Sequence, residues 1–255
     1  MISFVGAGPG AADLITLRGA QRLAAADVVV WAASLVPESL LDHCPAHVEV
    51  HDSKAMTLDE VCQVFARHPD AAIVRLHSGD PTVYGAIAEQ MAWCRRNGRA
   101  FEVVPGVSSV AATAAAAGVE LTVPGIAQTV VHTRLARRTV ASMPAGESVE
   151  AHATPGATTA VYLSATLVTE LQDRLLSEGS SYRPDTPVII GHRVTWPDGM
   201  VTRTTLGRLA ETVGDLGLDT TTLFLVGPAL GEGDPTRCSH VYDPGFTTRF
   251  REATS

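Results

Sequence analysis

The sequence predicts an α/β protein made of two α/β domains with a cleft between them. Short apolar runs alternate with segments of helical periodicity, and the connecting turns are short and rich in glycine. The chain has 255 residues, which is enough for two domains of about 120 residues each. Apolar residues make up 45% and charged residues 18% of the chain, as in globular proteins. This composition excludes a disordered tail, a fibrous repeat and a coiled coil.

The first half is predicted to alternate strands with helices, which is typical of a mostly parallel sheet. Thr57 and Glu60 have the spacing of a capping box, Asp80-Pro81 is a typical helix start, and Asn97-Gly98 is a typical helix end. The predicted strands cover 2–5, 27–33, 71–76 and 101–104, and the predicted helices cover 17–26, 57–68, 80–97 and 110–117. Together they form a predicted N-terminal α/β domain over 1–118.

A linker is predicted over 119–125, followed by a C-terminal α/β domain over 126–255. Its expected strands cover 128–133, 159–163, 187–194 and 221–226, and its expected helices cover 167–177 and 206–215. The turn Pro197-Asp198-Gly199 separates two runs that have the pattern of a hairpin.

The charge balance and the termini narrow the range of partners. With 19 basic and 27 acidic residues the formal net charge is −8, so the basic footprint of a nucleic-acid binder is missing. No apolar run approaches the roughly 18 residues of a membrane span, and the first residues lack the basic region of a signal peptide. We therefore expect a cytoplasmic protein without a nucleic-acid or membrane partner.

The first glycine-rich turn directly follows the first strand. Gly6-x-Gly8-x-x-Ala11 fits the degenerate dinucleotide fingerprint, so an NAD(P) or FAD Rossmann oxidoreductase is one alternative. Two features oppose it. Pro9 lacks the backbone N–H that a pyrophosphate needs, and the second strand, 27–33, ends without an acidic residue for the ribose.

Two more glycine-bearing turns follow later strands. They are Ser78-Gly79-Asp80-Pro81 and Pro105-Gly106-Val107-Ser108-Ser109. Open α/β sheets bind ligands at the carboxyl ends of their strands. The three turns therefore predict one pocket lined by backbone amides and small side chains.

These three turns resemble the tetrapyrrole (corrin and porphyrin) methylase family, and the resemblance covers essentially the whole chain. Within the family, three stretches resemble the subgroup that methylates C11 of precorrin-4 or its cobalt form in cobalamin synthesis. They are Arg75-Leu76-His77-Ser78-Gly79-Asp80-Pro81-Thr82-Val83-Tyr84-Gly85-Ala86-Ile87, Gln128-Thr129-Val130-Val131-His132-Thr133-Arg134 and Thr195-Trp196-Pro197-Asp198.

The resemblance implies a homodimer that uses S-adenosyl-L-methionine and releases S-adenosyl-L-homocysteine, with the cofactor in the interdomain cleft. Matching motif positions implies these cofactor-binding residues: Pro9, Ser78, Gly79, Asp80, Val83, Ser108, Ser109, Leu163, Val194 and Ala229. A precorrin is rimmed with carboxylates, so we expect substrate anchors at Arg134, Arg137, Arg138 and Arg193.

The chemistry of methyl transfer needs alignment more than a catalytic group. No catalytic residue is assigned, and Asp80 as a base is a secondary possibility. The grouping of His43, Cys44, His47 and His51 resembles metal-ligand spacing, but no metal site is predicted. Besides the oxidoreductase, two alternatives stay open: a sibling precorrin or uroporphyrinogen methyltransferase acting at another ring position, and a carrier that binds cofactor or pigment without catalysis.

Overall fold

The computed structural model describes residues 1–135, 143–231, 239 and 241–254. The chain divides into two compact units, one of residues 1–112 and 193–200, the other of residues 113–192 and 201–255. Each unit holds one five-stranded sheet with helices, which confirms the predicted α/β class. The observed division falls at 112/113, upstream of the predicted linker, and places residues 193–200 with the first unit. Within the part of the chain that is described, no helix is both long and apolar enough to cross a membrane.

The first sheet is parallel throughout, as predicted, and has the strand order β3-β2-β4-β1-β5. Its strands are β1 (Ile2–Gly6), β2 (Val28–Trp31), β3 (Glu49–Asp52), β4 (Ile73–His77) and β5 (Phe101–Val104). β1 and β2 are buried along their whole length, because helices and neighbouring strands cover both faces. Phe4 of β1 packs edge-to-face against Phe65, with ring centroids 6.5 Å apart.

Four helices belong to this part of the chain: α1 (Leu17–Ala24), α2 (Leu58–Arg67), α3 (Ala88–Arg96) and α4 (Ser109–Ala117). The predicted capping box of α2 is confirmed. The Thr57 hydroxyl accepts the backbone N–H of Glu60, and the Glu60 carboxylate accepts the backbone N–H of Thr57 at 2.7 Å. Both bonds satisfy N–H groups that the helix leaves unpaired.

The predicted start of α3 at Asp80 is wrong, because the helix begins at Ala88. The intervening residues Tyr84 and Ala86 have φ values of 55° and 49°, which no right-handed helix contains. Gly85 sits where an added Cβ would lie 2.1 Å from the Pro81 carbonyl oxygen, so the chain folds tightly back on itself here. The Asp80 side chain caps this turn instead of a helix.

The second sheet is mixed, with the order β6-β7-β10-β8-β9. Its strands are β6 (Thr129–Arg134), β7 (Ala157–Tyr162), β8 (Pro187–His192), β9 (Met200–Thr205) and β10 (Thr222–Val226), with helices α5 (Val168–Leu175) and α6 (Leu209–Asp215). β6 runs parallel to β7, whereas β10 is antiparallel to both β7 and β8. The hairpin was predicted between the flanks 193–196 and 200–204 of the Pro197-Asp198-Gly199 turn. Its second arm is β9, but residues 193–196 form a loop, and β9 lies beside β8 instead.

Candidate functional site

The three glycine-bearing turns leave the first sheet at one edge. They follow β1, β4 and β5, which lie side by side and run in the same direction. The chain passes from β1 outward to β2 on one side of the sheet and from β4 to β5 on the other. The three turns therefore lie together at the carboxyl ends of three adjacent strands, and open α/β sheets bind ligands outside those ends.

Backbone contacts tie the first turn to the other two. Gly8 donates its N–H to the Gly79 carbonyl at 3.3 Å, and Gly79 returns a bond to the Gly8 carbonyl at 2.7 Å. Gly8 and Gly79 have φ values of 80° and 63°, a conformation that glycine adopts without strain. A Cβ on Gly6 would lie 2.6 Å from the Cα of Gly106, so the first and third turns touch backbone to backbone. The predicted convergence of the three turns is present in the structure.

Asp80 connects the second turn to the third. Its Oδ2 accepts the Gly106 N–H at 2.9 Å, and its Oδ1 accepts the Thr82 N–H at 2.8 Å and the Thr82 hydroxyl. Partial burial raises the pKa of Asp80, but the hydrogen bonds from Thr82 and Gly106 outweigh burial and lower the pKa below its ordinary value. Asp80 is thus an ionised acceptor at neutral pH, and its lowered pKa and engaged oxygens make it a weak base.

A loop formed by residues 193–199 closes over the first turn within the same unit. Thr195 Oγ1 accepts the Ala11 N–H at 2.9 Å, and Trp196 Nε1 donates to the Pro9 carbonyl at 3.1 Å. The indole lies so close to Gly10 that a Cβ there would be 2.3 Å from Trp196 Cδ1. The 193–199 loop therefore fixes the conformation of the glycine turn from outside.

These contacts also occupy the amides that a dinucleotide site would offer. The Gly8 N–H is bonded to Gly79, the Ala11 N–H is bonded to Thr195, and Pro9 has no N–H. A pyrophosphate cradle needs several such groups pointing at the ligand. The geometry of this turn therefore disfavours the NAD(P) or FAD alternative.

Replacing Thr195 by valine is expected to loosen this contact. Valine keeps the β-branched shape but removes the acceptor of the Ala11 N–H, so we expect unfolding to become easier by about 1–2 kcal/mol. Amide hydrogen exchange at Ala11 should accelerate in parallel. Thr195→Ser, which keeps the hydroxyl, is the matched control and should retain most of the protection. Equal exchange at Ala11 in the wild type and both variants would show that the bond does not hold the turn.

The structure places the other predicted cofactor residues of the first unit around these turns. An added Cβ on Gly79 would approach the Ser109 nitrogen to 3.8 Å and the Ser108 Cα to 4.0 Å. Ser108 Oγ accepts the Ala111 N–H at 3.2 Å, so this serine caps α4. Pro9 and Val194 are buried, Val83 is half-buried and Ser78 is exposed.

The predicted residues of the second unit lie at opposite ends of its sheet. Leu163 follows the carboxyl end of β7, has a φ of 53° and is 70% exposed. Ala229 is buried in a short 3₁₀ helix beyond β10, which runs antiparallel to β7 with Val226 opposite Thr159. Arg134 ends β6 opposite Tyr162 in the register, and so shares the edge of Leu163.

The arginines predicted to anchor substrate differ in their surroundings. Arg193 Nε lies 2.8 Å from Oδ2 of Asp198, and its guanidinium stacks over the Trp196 ring at 4.2 Å from the centroid. A substrate carboxylate would therefore compete with Asp198 for this guanidinium. Arg137 and Arg138 lie outside the described residues.

Two basic residues on β4, the buried His77 and the half-buried Arg75, were not singled out as functional by the sequence analysis. His77, next to the Ser78 turn, is 7% exposed, and its Nε2 has no hydrogen-bond partner among the described residues. Burial, and secondarily the nearby Arg75, lowers the pKa of His77 to about 3. Burial also lowers the pKa of Arg75 to about 10, and its Nη1 donates to the Val30 carbonyl at 3.2 Å.

An apolar cavity of about 350 Å³ lies beside the Asp80 turn. The two positive-φ residues Tyr84 and Ala86 contribute to its wall. Other residues that line it are Pro81, Ile87, Met91 and Val103. Strained backbone beside a cavity is a feature of many functional sites. The sequence analysis missed it because it predicted a continuous helix for this segment.

Known proteins share both the sequence and the fold. The family model for Tetrapyrrole (Corrin/Porphyrin) Methylases matches residues 1–210. A precorrin-4 C(11)-methyltransferase of Sinorhizobium sp is 39% identical over 98% of both chains. A cobalt-precorrin-4 C(11)-methyltransferase of Methanocaldococcus jannaschii is 37% identical over 99% of this chain and 96% of the relative.

Solved structures give the same assignment. A cobalt precorrin-4 methyltransferase of cobalamin biosynthesis, 39% identical, superposes with a TM-score of 0.84 over 90% of this chain and 95% of its own. A uroporphyrin-III C-methyl transferase of Thermus thermophilus, complexed with S-adenyl homocysteine and 26% identical, superposes with a TM-score of 0.75 over 90% of this chain and 98% of its own. The match of the family model, the near full-length relatives and the shared fold show that the chain belongs to the tetrapyrrole methylase family.

Proposed function

We propose that the protein transfers a methyl group from S-adenosyl-L-methionine to C11 of precorrin-4 or cobalt-precorrin-4 in cobalamin biosynthesis. Relatives with these two names match nearly the whole chain at 37–41% identity, whereas a uroporphyrinogen-III C-methyltransferase of Pseudomonas aeruginosa matches at 33%. The higher identity favours the C11 enzymes over the sibling methyltransferases.

The convergence of the three glycine turns at the carboxyl ends of β1, β4 and β5 is the observation that carries this proposal. It creates a surface of backbone groups and small side chains where the sheet binds ligands. The turn amides of Gly8 and Ala11 are already engaged, which fits a ligand without a pyrophosphate. S-adenosyl-L-methionine is such a nucleoside, since it carries an amino-acid group in place of phosphates.

Several of the proposed cofactor residues have a geometry that supports a role. The amino end of α4, capped by Ser108, offers backbone N–H groups to the carboxylate of the cofactor. Asp80 holds the second and third turns in register through Gly106 and keeps a negative charge near a cationic ligand. Pro9, Gly79 and Val83 supply apolar or backbone surface. Leu163, Val194 and Ala229 stay proposed contacts.

The bound cofactor supplies a methyl group on a sulfonium, whose carbon–sulfur bond breaks as the electron pair returns to sulfur. The electrons of the new carbon–carbon bond come from the substrate ring. The protein's task is to hold the turns rigid, align the ring carbon with the methyl group and exclude water, which is catalysis by proximity. The buried His77, whose Nε2 has no hydrogen-bond partner among the described residues, and the Asp80 carboxylate, which accepts the Gly106 N–H, both lie within this scaffold.

Calorimetric titration of the purified chain with S-adenosyl-L-homocysteine, with NAD in parallel, tests the proposal. We expect micromolar binding of the homocysteine product and none of NAD. Asp80→Asn should weaken binding about tenfold, equivalent to the roughly 1.4 kcal/mol of a charge-assisted hydrogen bond. Asp59→Asn, the same change in the first turn of α2, should leave the affinity unchanged.

The outcomes separate the alternatives. Preferential binding of NAD would establish the oxidoreductase and overturn the proposal. Binding of S-adenosyl-L-homocysteine without methyl transfer to a precorrin would establish a carrier. Methylation of a ring carbon other than C11, located by NMR on ¹³C-methyl product, would establish a sibling activity.

We also propose that Arg134, Arg137, Arg138 and Arg193 bind substrate carboxylates, and that the enzyme is a cytoplasmic homodimer. Arginine forks suit carboxylates, and Lys54 is the only lysine in the chain. The family resemblance supports the dimer. Light scattering on the full chain tests the oligomeric state directly.

A further inference from the structure

A second group of chemically active side chains lies on the first unit, at the β3 edge of its sheet. Glu49 and His51 are two residues apart on β3, so their side chains leave the same face of the strand. His68 immediately follows α2. Among the described residues, these three form a group whose nitrogen and carboxylate oxygen atoms all lie within 4.8 Å of one another.

The distances within the group suit a small ion. His51 Nε2 lies 2.8 Å from Glu49 Oε1, and His68 Nε2 lies 3.6 Å from Glu49 Oε2. Ligands bound at about 2.0–2.1 Å to a tetrahedral Zn²⁺ stand about 3.3 Å from one another. The Glu49 side chain is 51% exposed and directs one carboxylate oxygen toward each ring. Only small side-chain movements separate the observed arrangement from a coordination sphere.

The state of His51 points to a missing ligand. Its Nε2 is shielded from solvent and makes no hydrogen bond of acceptable geometry with a described residue, although the Glu49 carboxylate is close. A buried polar atom without a partner is costly, and bound ions are one way in which proteins satisfy it. An imidazole nitrogen and a carboxylate oxygen 2.8 Å apart, without a hydrogen bond between them, are placed as two ligands of one cation would be.

The scaffold holds both histidines in place. β3 is paired to β2 with His51 opposite Val30, which fixes the strand register. The end of α2 is fixed by Arg99, whose Nη1 donates to the carbonyls of Phe65 at 3.3 Å and His68 at 2.9 Å. Preorganised ligands on rigid elements reduce the entropy that metal binding must overcome.

We propose that Glu49, His51 and His68 bind a divalent transition metal, and that Zn²⁺ is the ion they suit best. Two imidazoles and one carboxylate are a frequent zinc ligand set, with a water in the fourth position. Hard cations such as Mg²⁺ and Ca²⁺ prefer oxygen ligands and are disfavoured here. The ion links the edge strand to the end of α2. This site is separate from the glycine turns and does not depend on the proposed methyltransferase activity.

The sequence grouped different residues. His43, Cys44, His47 and His51 are close in sequence, but the structure joins His51 to Glu49 and to His68. The pairing arises because α2 leads back along the sheet and ends beside β3, which local spacing does not reveal.

Zinc titration of the full chain after removal of metals by a chelator tests the site. We expect one Zn²⁺ per chain, measured by calorimetry and by elemental analysis after dialysis. Removing an outer-sphere partner of a metal typically costs about 10–100-fold in affinity, so His68→Gln and Glu49→Gln should each cost at least about 100-fold. His47→Gln, which changes an exposed histidine outside the group, should leave zinc binding unchanged.

Cobalt(II) substitution identifies the ligands. Binding at this site gives visible d–d bands without a sulfur-to-cobalt charge-transfer band, and the d–d bands disappear in His51→Gln. A charge-transfer band would place the metal on a cysteine and overturn the proposal. Zinc binding that is absent in the wild type, or equal in the wild type and His68→Gln, would overturn it as well. Circular dichroism of each variant shows that a lost site is not a lost fold.

Discussion

Replacing Gly106 by alanine is expected to destabilise the first unit by about 3 kcal/mol and to abolish cofactor binding. The added methyl group would lie 2.2 Å from the Gly79 carbonyl oxygen and 2.8 Å from the Cα of Gly6. Both contacts are with backbone atoms, which have no rotamer to adopt. The third turn must therefore move away from the first two.

Such a displacement damages the site as well as the fold. The Gly106 N–H bonds to Asp80 at 2.9 Å, so moving this residue breaks the link between the second and third turns. The amino end of α4 lies three residues farther along the chain and would shift with it. The expected result combines lost stability with lost affinity, because the same packing supports both.

Thermal unfolding and S-adenosyl-L-homocysteine titration measure the two effects. A loss of about 3 kcal/mol corresponds to a decrease in melting temperature of about 6–12 °C for a chain of this size. Gly214→Ala is the matched control, because a Cβ at Gly214 of α6 meets nothing within 4 Å. That variant should be neutral or slightly more stable, since alanine favours helices. A Gly106→Ala protein with wild-type melting temperature and affinity would show that the turns are not in contact.

The contact between the glycine turns can be predicted from the sequence, because it depends only on short local patterns and on the shared direction of parallel strands. Each turn follows an apolar run, and parallel strands place their carboxyl ends on one edge. Two backbones can approach this closely only where a residue has no side chain, and the sequence has glycine at these positions: Gly6, Gly79 and Gly106. The fold class and this part of the candidate site therefore follow from patterns within a few residues of each strand.

Contacts between distant segments are not predictable in the same way. Thr195 and Ala11 are 184 residues apart in the chain. The local sequence around either residue does not indicate that the two segments are in contact. The predicted start of α3 was wrong because Asp80-Pro81 has the local sequence of a helix start. In the structure, the Asp80 carboxylate accepts the N–H of Gly106 in the third turn and does not cap a helix. The same holds for His51 and His68, which the path of α2 brings together.

The stability of the protein is expected to fall as the pH decreases below about 6.5, and His77 is the principal cause. Burial beside Arg75 lowers the pKa of His77 to about 3 in the folded chain, whereas an exposed histidine has a pKa of about 6.5. The folded state therefore keeps His77 neutral where the unfolded state binds a proton. The stability that His77 contributes is complete above pH about 6.5 and is lost as the pH falls toward about 3.

The size of the effect follows from the difference in pKa. Each pH unit below about 6.5 costs about 1.4 kcal/mol until the pH approaches the folded pKa, which gives about 2 kcal/mol at pH 5 and about 4 kcal/mol at pH 3. Between pH 7 and pH 5 most carboxyl groups stay ionised in the unfolded chain, so this interval isolates histidine. Desolvation also lowers the pKa of His132 on the surface of β6, which adds a smaller contribution of the same sign.

Urea unfolding at pH 7 and pH 5 compares the wild type with His77→Gln. Glutamine does not titrate, so the variant should lose about 2 kcal/mol less between these two pH values than the wild type. Parallel slopes for the wild type and His77→Gln would mean that His77 is hydrated or paired in solution. The relevant atom is His77 Nε2, which has no hydrogen-bond partner among the described residues. Parallel slopes would mean that this atom binds water or another group in solution. Because the His77 ring stays neutral in the folded chain, the neighbouring Ser78 turn does not respond to pH in the neutral range. The ligand site therefore keeps its geometry, although the free energy of unfolding decreases in acid.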